Sequence, residues 1–313
     1  MAVDTKYLNQ SFVNALGSNR SSEEMQKFAE EANTYVKEIL RERSFTRKII
    51  TPKYVSVQEL DRNPYDDTLI KIRDKEPYSK GAMAVSYRGR GEGQYIESRK
   101  YVIPMAKLES PLFSKDEIEL LACEAPITQI IEENAVKDIE ELEDIRFLST
   151  INEILSVTGK SINSGPDLTK AILPGLFNLI DDDRLKTDCL LMSSVTFNSW
   201  LKQTMMDFGD TLAGEVIKDG WIYDRLLGKK VVVSIKSDVI DEWAFNPDGT
   251  RHCTARCIYA FTAQEALGDS YILNDSKLWF KNDFGTIFWK FDEIIGTGIG
   301  NTAGIAKLRL VQS

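Results

Sequence analysis

From Pro126 to the residue before Gly159 the chain runs without a glycine or a second proline. Apolar residues recur through it every three or four positions: Ile127, Ile130 or Ile131, Ala135, Ile139, Leu142, Ile145, Leu148, Ile151 and Leu155. That spacing predicts one continuous helix over 126–157, with Pro126 suited to its first turn. About 30 residues of helix span roughly 45 Å, more than an ordinary globular helix needs. A chain carrying such a rod must be organised along it, as a strut or as a coiled-coil seam. The acids Glu132, Glu133, Asp138, Glu140, Glu141, Glu143 and Asp144 read as the opposite face of the rod, solvated or turned toward another subunit.

Upstream of the rod, residues 78–88 and 94–105 are strand-like runs, and Gly-Arg-Gly-Glu-Gly at 89–93 lies between them. Two readings compete for that loop. A phosphate cradle requires G-x-G-x-x-G opening a helix, or a terminal Gly-Lys-Ser/Thr. Here the third glycine comes one residue early, a strand-like run follows, and no Lys-Ser/Thr closes the loop. Alternating glycines also permit a tight reversal, so a long β-hairpin is the better reading. A hairpin standing alone is marginal in water. Its apolar residues Met83, Val85, Tyr87, Ile96, Tyr101 and Ile103 need cover from the rest of the chain or from another subunit.

The remaining segments predict an α+β fold. Residues 1–20 lack a pattern, 22–42 carry helical spacing, and 44–76 read as an extended arm broken by Pro52 and Pro64. After the rod, 167–180 predicts a helix with Pro174 inside it. Cys189-Leu-Leu-Met-Ser193 then predicts a buried strand, with Ser194 capping the helix that follows. Gly228 introduces the strand run Lys-Lys-Val-Val-Val-Ser234, and the last third is mostly strand-like.

Other chemistry is thinly represented. The chain has 313 residues, a formal charge of −9 and a single histidine, His252. That charge argues against a surface that grips nucleic acid throughout. One histidine leaves no His-rich metal site and allows only one residue to serve a Ser-His-Asp or Cys-His arrangement. The four cysteines, Cys123, Cys189, Cys253 and Cys257, fit reduced thiols. His252-Cys253-x-x-x-Cys257 lacks the second pair that a zinc site needs. Asp181-Asp182-Asp183 lacks calcium-loop spacing and reads as a solvated helix end. The start of the sequence has no signal-peptide pattern, and no apolar run reaches membrane-spanning length. No cofactor is implied.

Three stretches carry a resemblance. CLLMSSVTFNSWLKQ from Cys189, LLGKKVVVS from Leu226 and FDEIIGTGIGNTAGIAKLRL from Phe291 look like passages of one family. They occur in the same order of arm, hairpin, long helix and compact α+β part. The sequence resembles the major capsid proteins of tailed bacteriophages, with the Hong Kong 97 type fold that encapsulin shells share.

The resemblance implies an N-terminal arm over 1–76, an extended loop over 77–106 and a peripheral domain from 107–157 and 268–296 that contains the spine helix 126–157. It implies an axial domain from 158–267 and 297–313. It further implies a structural, non-enzymatic subunit that assembles as hexamers and pentamers into an icosahedral shell around double-stranded DNA. Portal and scaffolding proteins, and a cement or decoration protein, are the implied partners, with the virion as destination after assembly in the bacterial host cytoplasm. DNA would be held non-specifically. Because the sequence begins near the arm, the scaffold is expected to be a separate protein, or an upstream part to have been removed. Arg88, Gly89, Arg90, Gly91, Gly93 and Arg99 would be the loop's inter-subunit contacts. An encapsulin-type compartment remains an alternative, as does a soluble nucleotide-binding enzyme using the 89–93 loop.

Overall fold

The computed structural model describes residues 44–62, 67–74, 85–86, 89, 98–116, 118–119, 137–169, 171–207, 225–226, 228–283 and 285–312. The described elements begin with helix α1 (Phe45–Ile49) and strands β1 (Pro52–Tyr54), β2 (Leu60–Arg62), β3 (Asp67–Asp74), β4 (Ser98–Pro104), β5 (Ala106–Glu109) and β6 (Phe113–Asp116). The spine helix α2 (Lys137–Thr158), β7 (Ser161–Ser164), α3 (Ile172–Asp181), β8 (Thr187–Ser193) and α4 (Ser194–Asp207) follow. After them come β9 (Arg225–Leu226), β10 (Lys229–Ser234), α5 (Ser237–Ile240), β11 (Glu242–Phe245) and β12 (Arg251–Thr262). The chain closes with α6 (Gln264–Leu267), β13 (Gly268–Asp283), β14 (Thr286–Ile299) and β15 (Ile305–Val311). No helix among them is long and apolar enough to cross a membrane.

The larger sheet has the order β7-β15-β12-β8-β10-β9, with β11 also on β12. Its central strands are buried on both faces, which is why CLLM and IYAF are continuously apolar rather than alternating. Leu190, Met192, Ile258 and Ala260 face α3 and α4, packing with Leu173, Leu176, Phe177, Ile180, Phe197 and Trp200. Their neighbours Cys189, Leu191, Cys257, Tyr259 and Phe261 face the other way, onto Phe45, Ile49 and Ile50 of the first described segment and Phe147, Leu148, Ile151 and Leu155 of α2. The sheet is thus sandwiched between two helical layers. The β8-to-α4 turn is capped by Ser193, whose Oγ accepts the Thr196 N–H at 3.4 Å. The cap falls one residue before the expected Ser194.

The second sheet is a long β13–β14 hairpin, flanked by β1 on β13 and by β5 and β6 in succession on β14. Between β5 and β6 the ladder is kept by Ser110. Its N–H donates to Phe291 O at 2.9 Å, and its Oγ accepts the Phe291 N–H at 3.0 Å. The turn after β5 is therefore satisfied although Pro111 brings no donor. Strand β4 crosses close over the far end of β14. A Cβ on Gly296 would lie 2.5 Å from Met105 Sδ, and one on Gly298 2.7 Å from Ile103 Cδ1, so glycine lets that crossing close.

Three differences from the sequence reading have physical causes. First, residues 67–74, read as part of the extended arm, form a strand that pairs with 98–104, from Thr68↔Pro104 to Asp74↔Ser98. The arm was read as extended because of its prolines, yet Asp67–Asp74 follows Pro64 without another proline and has the aliphatic content of a strand. Residues 78–88 fall almost entirely outside the described residues. Second, residues 45–49 are a helix and belong to the core: Phe45 is 1% and Ile50 0% exposed. Burial of that order contributes about 1.5–3 kcal/mol per large side chain. Third, the spine helix is turned. Its described part ends at Gly159, whose N–H donates to Leu155 O at 2.9 Å and whose φ is +68°, a glycine C-terminal stop. Its buried face contains Glu140, Glu143 and Asp144 beside Phe147 and Ile151, while Leu142 and Ile145 are 39% and 43% exposed. Three of the acids assigned to the outer face, Glu140, Glu143 and Asp144, are inside, while Asp138 is exposed as expected. The start of the rod, 126–136, lies outside the described residues.

Candidate functional site

Of the six loop residues singled out by sequence, Gly89 and Arg99 are described. The Gly89 N–H closes a turn onto Ser86 O at 2.7 Å, and Arg99 stands on β4 opposite Arg73 of β3. Arg88, Arg90, Gly91 and Gly93 lie outside the described residues.

The two weaker metal candidates become structural contacts. His252, Cys253 and Cys257 are on β12. Cys257 is buried and burial pushes its thiol up to about 12. Cys253, opposite Trp243 on β11, is also raised by burial. In the acid run, Asp181 accepts the Thr187 N–H at 3.3 Å. Asp183 pairs with Lys160, whose Nζ also donates to Leu179 O at 2.8 Å and Ala303 O at 2.7 Å. These bonds fasten the end of α3 to the turn before β15. Among the described residues, no three His, Cys, Asp or Glu side chains are placed to hold a metal ion.

The densest charged constellation lies where α1, α2, β14 and the loop after β10 meet. Arg47 donates from Nε to both Glu143 oxygens, at 3.2 and 3.0 Å, and from Nη2 to Glu293 Oε2 at 2.6 Å. On the next residue of α2, Asp144 Oδ1 accepts from Ser44 Oγ (3.0 Å), Thr46 N (3.1 Å) and Thr46 Oγ1 (2.8 Å). Its other oxygen takes Lys236 Nζ at 2.6 Å, and Lys236 also reaches Glu140 at 2.6 Å. Exposures are 6% for Arg47 and 0–4% for Glu140, Glu143, Asp144 and Glu293. Burial dominates at Glu143 and pushes its carboxyl up to about 8, with Arg47 pulling the other way and Glu293 and Asp144 adding to the rise. The guanidinium itself stays charged in any such setting.

None of these residues was singled out by sequence except the acids of the rod, and those were placed on the wrong face. One signal was present. Glu140, Glu143 or Asp144, Phe147 and Ile151 follow one another at helical spacing, so the acids continue the apolar stripe rather than oppose it. Nothing local identifies Arg47, Lys236 or Glu293 as their partners.

A second polar group lines a cleft of about 370 Å³ bordered by Asn152, Ser156, Ser161, Tyr259 and β11. Glu242 bridges Lys307 (2.8 Å) and Arg309, which donates from Nε at 3.0 Å and from Nη2 at 2.5 Å. Burial works to raise the Glu242 carboxyl, but these hydrogen bonds hold it below the usual range. Asn152 Oδ1 accepts from Lys307 at 3.1 Å and from the Tyr259 hydroxyl at 3.2 Å. The cluster ties the end of the spine helix to the large sheet. Both constellations join distant segments through paired charges.

The architecture defines a class before any comparison: an α+β protein with three sheets among the described residues, in which a long helix and the segment around Phe45 seal one face of the largest sheet. Comparison with solved structures then fixes the fold. The chain is similar to the structure titled as the capsid of cyanophage P-SCSP1u, with 13% identity, 85% of this chain and 87% of that chain covered, and a TM-score of 0.54. It is similar to a structure from Mycobacterium phage Adephagia, with 10% identity, 87% and 91% covered, and a TM-score of 0.55. It is similar to a virus-like particle from Pyrococcus furiosus, with 15% identity, 90% and 99% covered, and a TM-score of 0.50. The chain has the Hong Kong 97 type fold. No protein-family model matches the sequence, and no curated protein matches it.

Proposed function

We propose that the protein is a structural subunit that assembles with copies of itself into hexamers and pentamers of an icosahedral phage head. The observation that carries this reading is the fold likeness over 85% of this chain and 87% of a cyanophage capsid chain. At such low identity the likeness is one of architecture, so the assembly chemistry must come from this chain's own surfaces. Large buried interfaces closed by symmetry would supply it, with no catalytic step. The domain division implied by the sequence resemblance is part of the proposal: arm 1–76, extended loop 77–106, peripheral 107–157 with 268–296, axial 158–267 with 297–313. So are the partners: packaged double-stranded DNA held non-specifically, a portal, a scaffold and a possible decoration protein, with the virion as final location.

The loop residues Arg88, Gly89, Arg90, Gly91, Gly93 and Arg99 are the proposed inter-subunit contacts. Rim pairs of this kind contribute about 1 kcal/mol or less each, so single changes should be mild and paired ones visible. Negative-stain microscopy of the purified protein is the deciding experiment. Closed thin-walled particles or hexameric rings are expected, and a uniformly small species would sink the reading. Arg88→Glu with Arg90→Glu should lower particle yield, and normal yield removes those arginines from the interface. Particles carrying DNA support a phage head; particles filled with protein and free of DNA would move the assignment to a compartment of the Pyrococcus type. The nucleotide-binding reading of the 89–93 loop gains nothing from the fold.

A further inference from the structure

We propose that the buried ionic junction is a proton-gated latch: Glu143 carries a proton while the segment around Arg47 is docked on the spine helix, and losing that proton weakens the docking. The geometry leads there on its own. Glu143 is 3% exposed, and its hydrogen bonds come from one nitrogen of Arg47, at 3.2 and 3.0 Å. The same guanidinium serves Glu293, 2% exposed, at 2.6 Å. Two carboxylates held on one cation, out of water, compete for it, and like charges that close disfavour double ionisation.

Among the described residues, the charged groups facing Glu143 from the packed elements can be named. Arg47 comes from α1, Glu293 from β14 and Lys236 from the loop after β10, while Glu140 and Asp144 are on the helix itself. Lys236 does not relieve Glu143, because its two short contacts at 2.6 Å go to Glu140 and Asp144. The proton therefore belongs to the Glu143 side of the junction.

What the latch holds is also on the page. Ser44 and Thr46 dock on Asp144, and Phe45, Ile49 and Ile50 cover Phe147, Leu148 and Ile151 of the helix. Undocking would put Glu143 in water, where it ionises as an ordinary glutamate. The sign follows from linkage. The docked state binds the extra proton, so docking is fully stabilised at acid pH and loses that stabilisation as pH rises through the raised titration point. Between the ordinary glutamate range and that point the docking equilibrium falls about tenfold per pH unit, and above it the equilibrium levels off. The device is built within one subunit and stands whether or not the subunit forms shells.

Hydrogen exchange read by mass spectrometry on the full chain tests it, with rates corrected for base catalysis. Amides of 45–50 should lose protection roughly a hundredfold between pH 5 and pH 7, while those of 305–311 in the C-terminal strand serve as the reference. Glu143→Gln, which presents the protonated shape at every pH, should abolish the pH dependence. A flat wild-type profile overturns the proposal however the variant behaves. So does a parallel loss at 305–311, or a Glu143→Gln profile as steep as that of wild type.

Discussion

Replacing Arg47 by methionine keeps much of the side chain's length and apolar stem but removes the cation that two buried carboxylates share. Arg47 is 6% exposed, and its partners Glu143 and Glu293 are 3% and 2% exposed, with contacts of 3.0 and 2.6 Å. Removing one member of such a group leaves uncompensated charge in low dielectric, a loss of about 3–5 kcal/mol. Coulomb attraction of the intact pair is not the relevant quantity, since the desolvation that opposes it has already been incurred by folding. Glu143, whose carboxyl is pushed up by burial and which carries its proton in the docked state, adds little bare charge when the cation is lost. The remaining strain then falls on Glu293, and the loss should ease as pH is lowered. Arg47→Lys retains the charge but replaces two directed donors, Nε and Nη2, with one ammonium that cannot form the same fork. Its loss should be intermediate. Urea denaturation followed by tryptophan fluorescence at pH 7 and pH 5 reads all three proteins. A methionine variant within about 1 kcal/mol of wild type would refute the reasoning. A lysine variant as damaged as the methionine one would show that shape rather than charge holds the junction.

Two further outcomes follow from packing. A Cβ placed on Gly268 would lie well under 3.0 Å from the backbone oxygen of Gly298, and backbone on both sides leaves no side chain to yield. Gly268→Ala should therefore cost about 1–3 kcal/mol, measurable as a lower thermal midpoint, and an unchanged midpoint would mean the β13–β14 pair opens there at little cost. Cys189 and Cys257 are buried, and burial pushes both thiols up to about 12. Thiolate is the reactive form, so neither should be alkylated by iodoacetamide in the native protein at pH 8, while both should react in urea. Rapid native labelling at either site would show that its face of the sheet opens.

How much of this could be read in advance differs by element. The strands at Cys189–Ser193 and Lys229–Ser234, and the helix that ends at Gly159, are set by local period and local stop signals, and those are visible in any window of the sequence. The pairing of 98–104 with 67–74 was missed because strand partners are chosen by the whole fold. The glycine-rich segment nearby drew attention to a local reversal, and nothing local pointed to 67–74 as a partner. The phase of the spine helix was misread for a related reason. Leu142 and Ile145 fit an apolar stripe as well as Phe147 and Ile151 do, and the acids at 140, 143 and 144 argued against burial unless their partners were known. Those partners are remote: Arg47 lies 96 residues from Glu143 and 246 from Glu293.

The sequence by itself determined that a long helix exists, that buried strands follow it, and that order of elements and three short passages resemble phage capsid proteins. Tertiary structure alone decided which side of the helix is inside and how three acids could be buried there. Hydrophobic periodicity reports how a segment repeats, and so it can be read locally. Burial of charge is possible only where cations and hydrogen-bond donors from distant segments arrive together. The meeting of Arg47, Lys236 and the spine helix is a property of the folded chain.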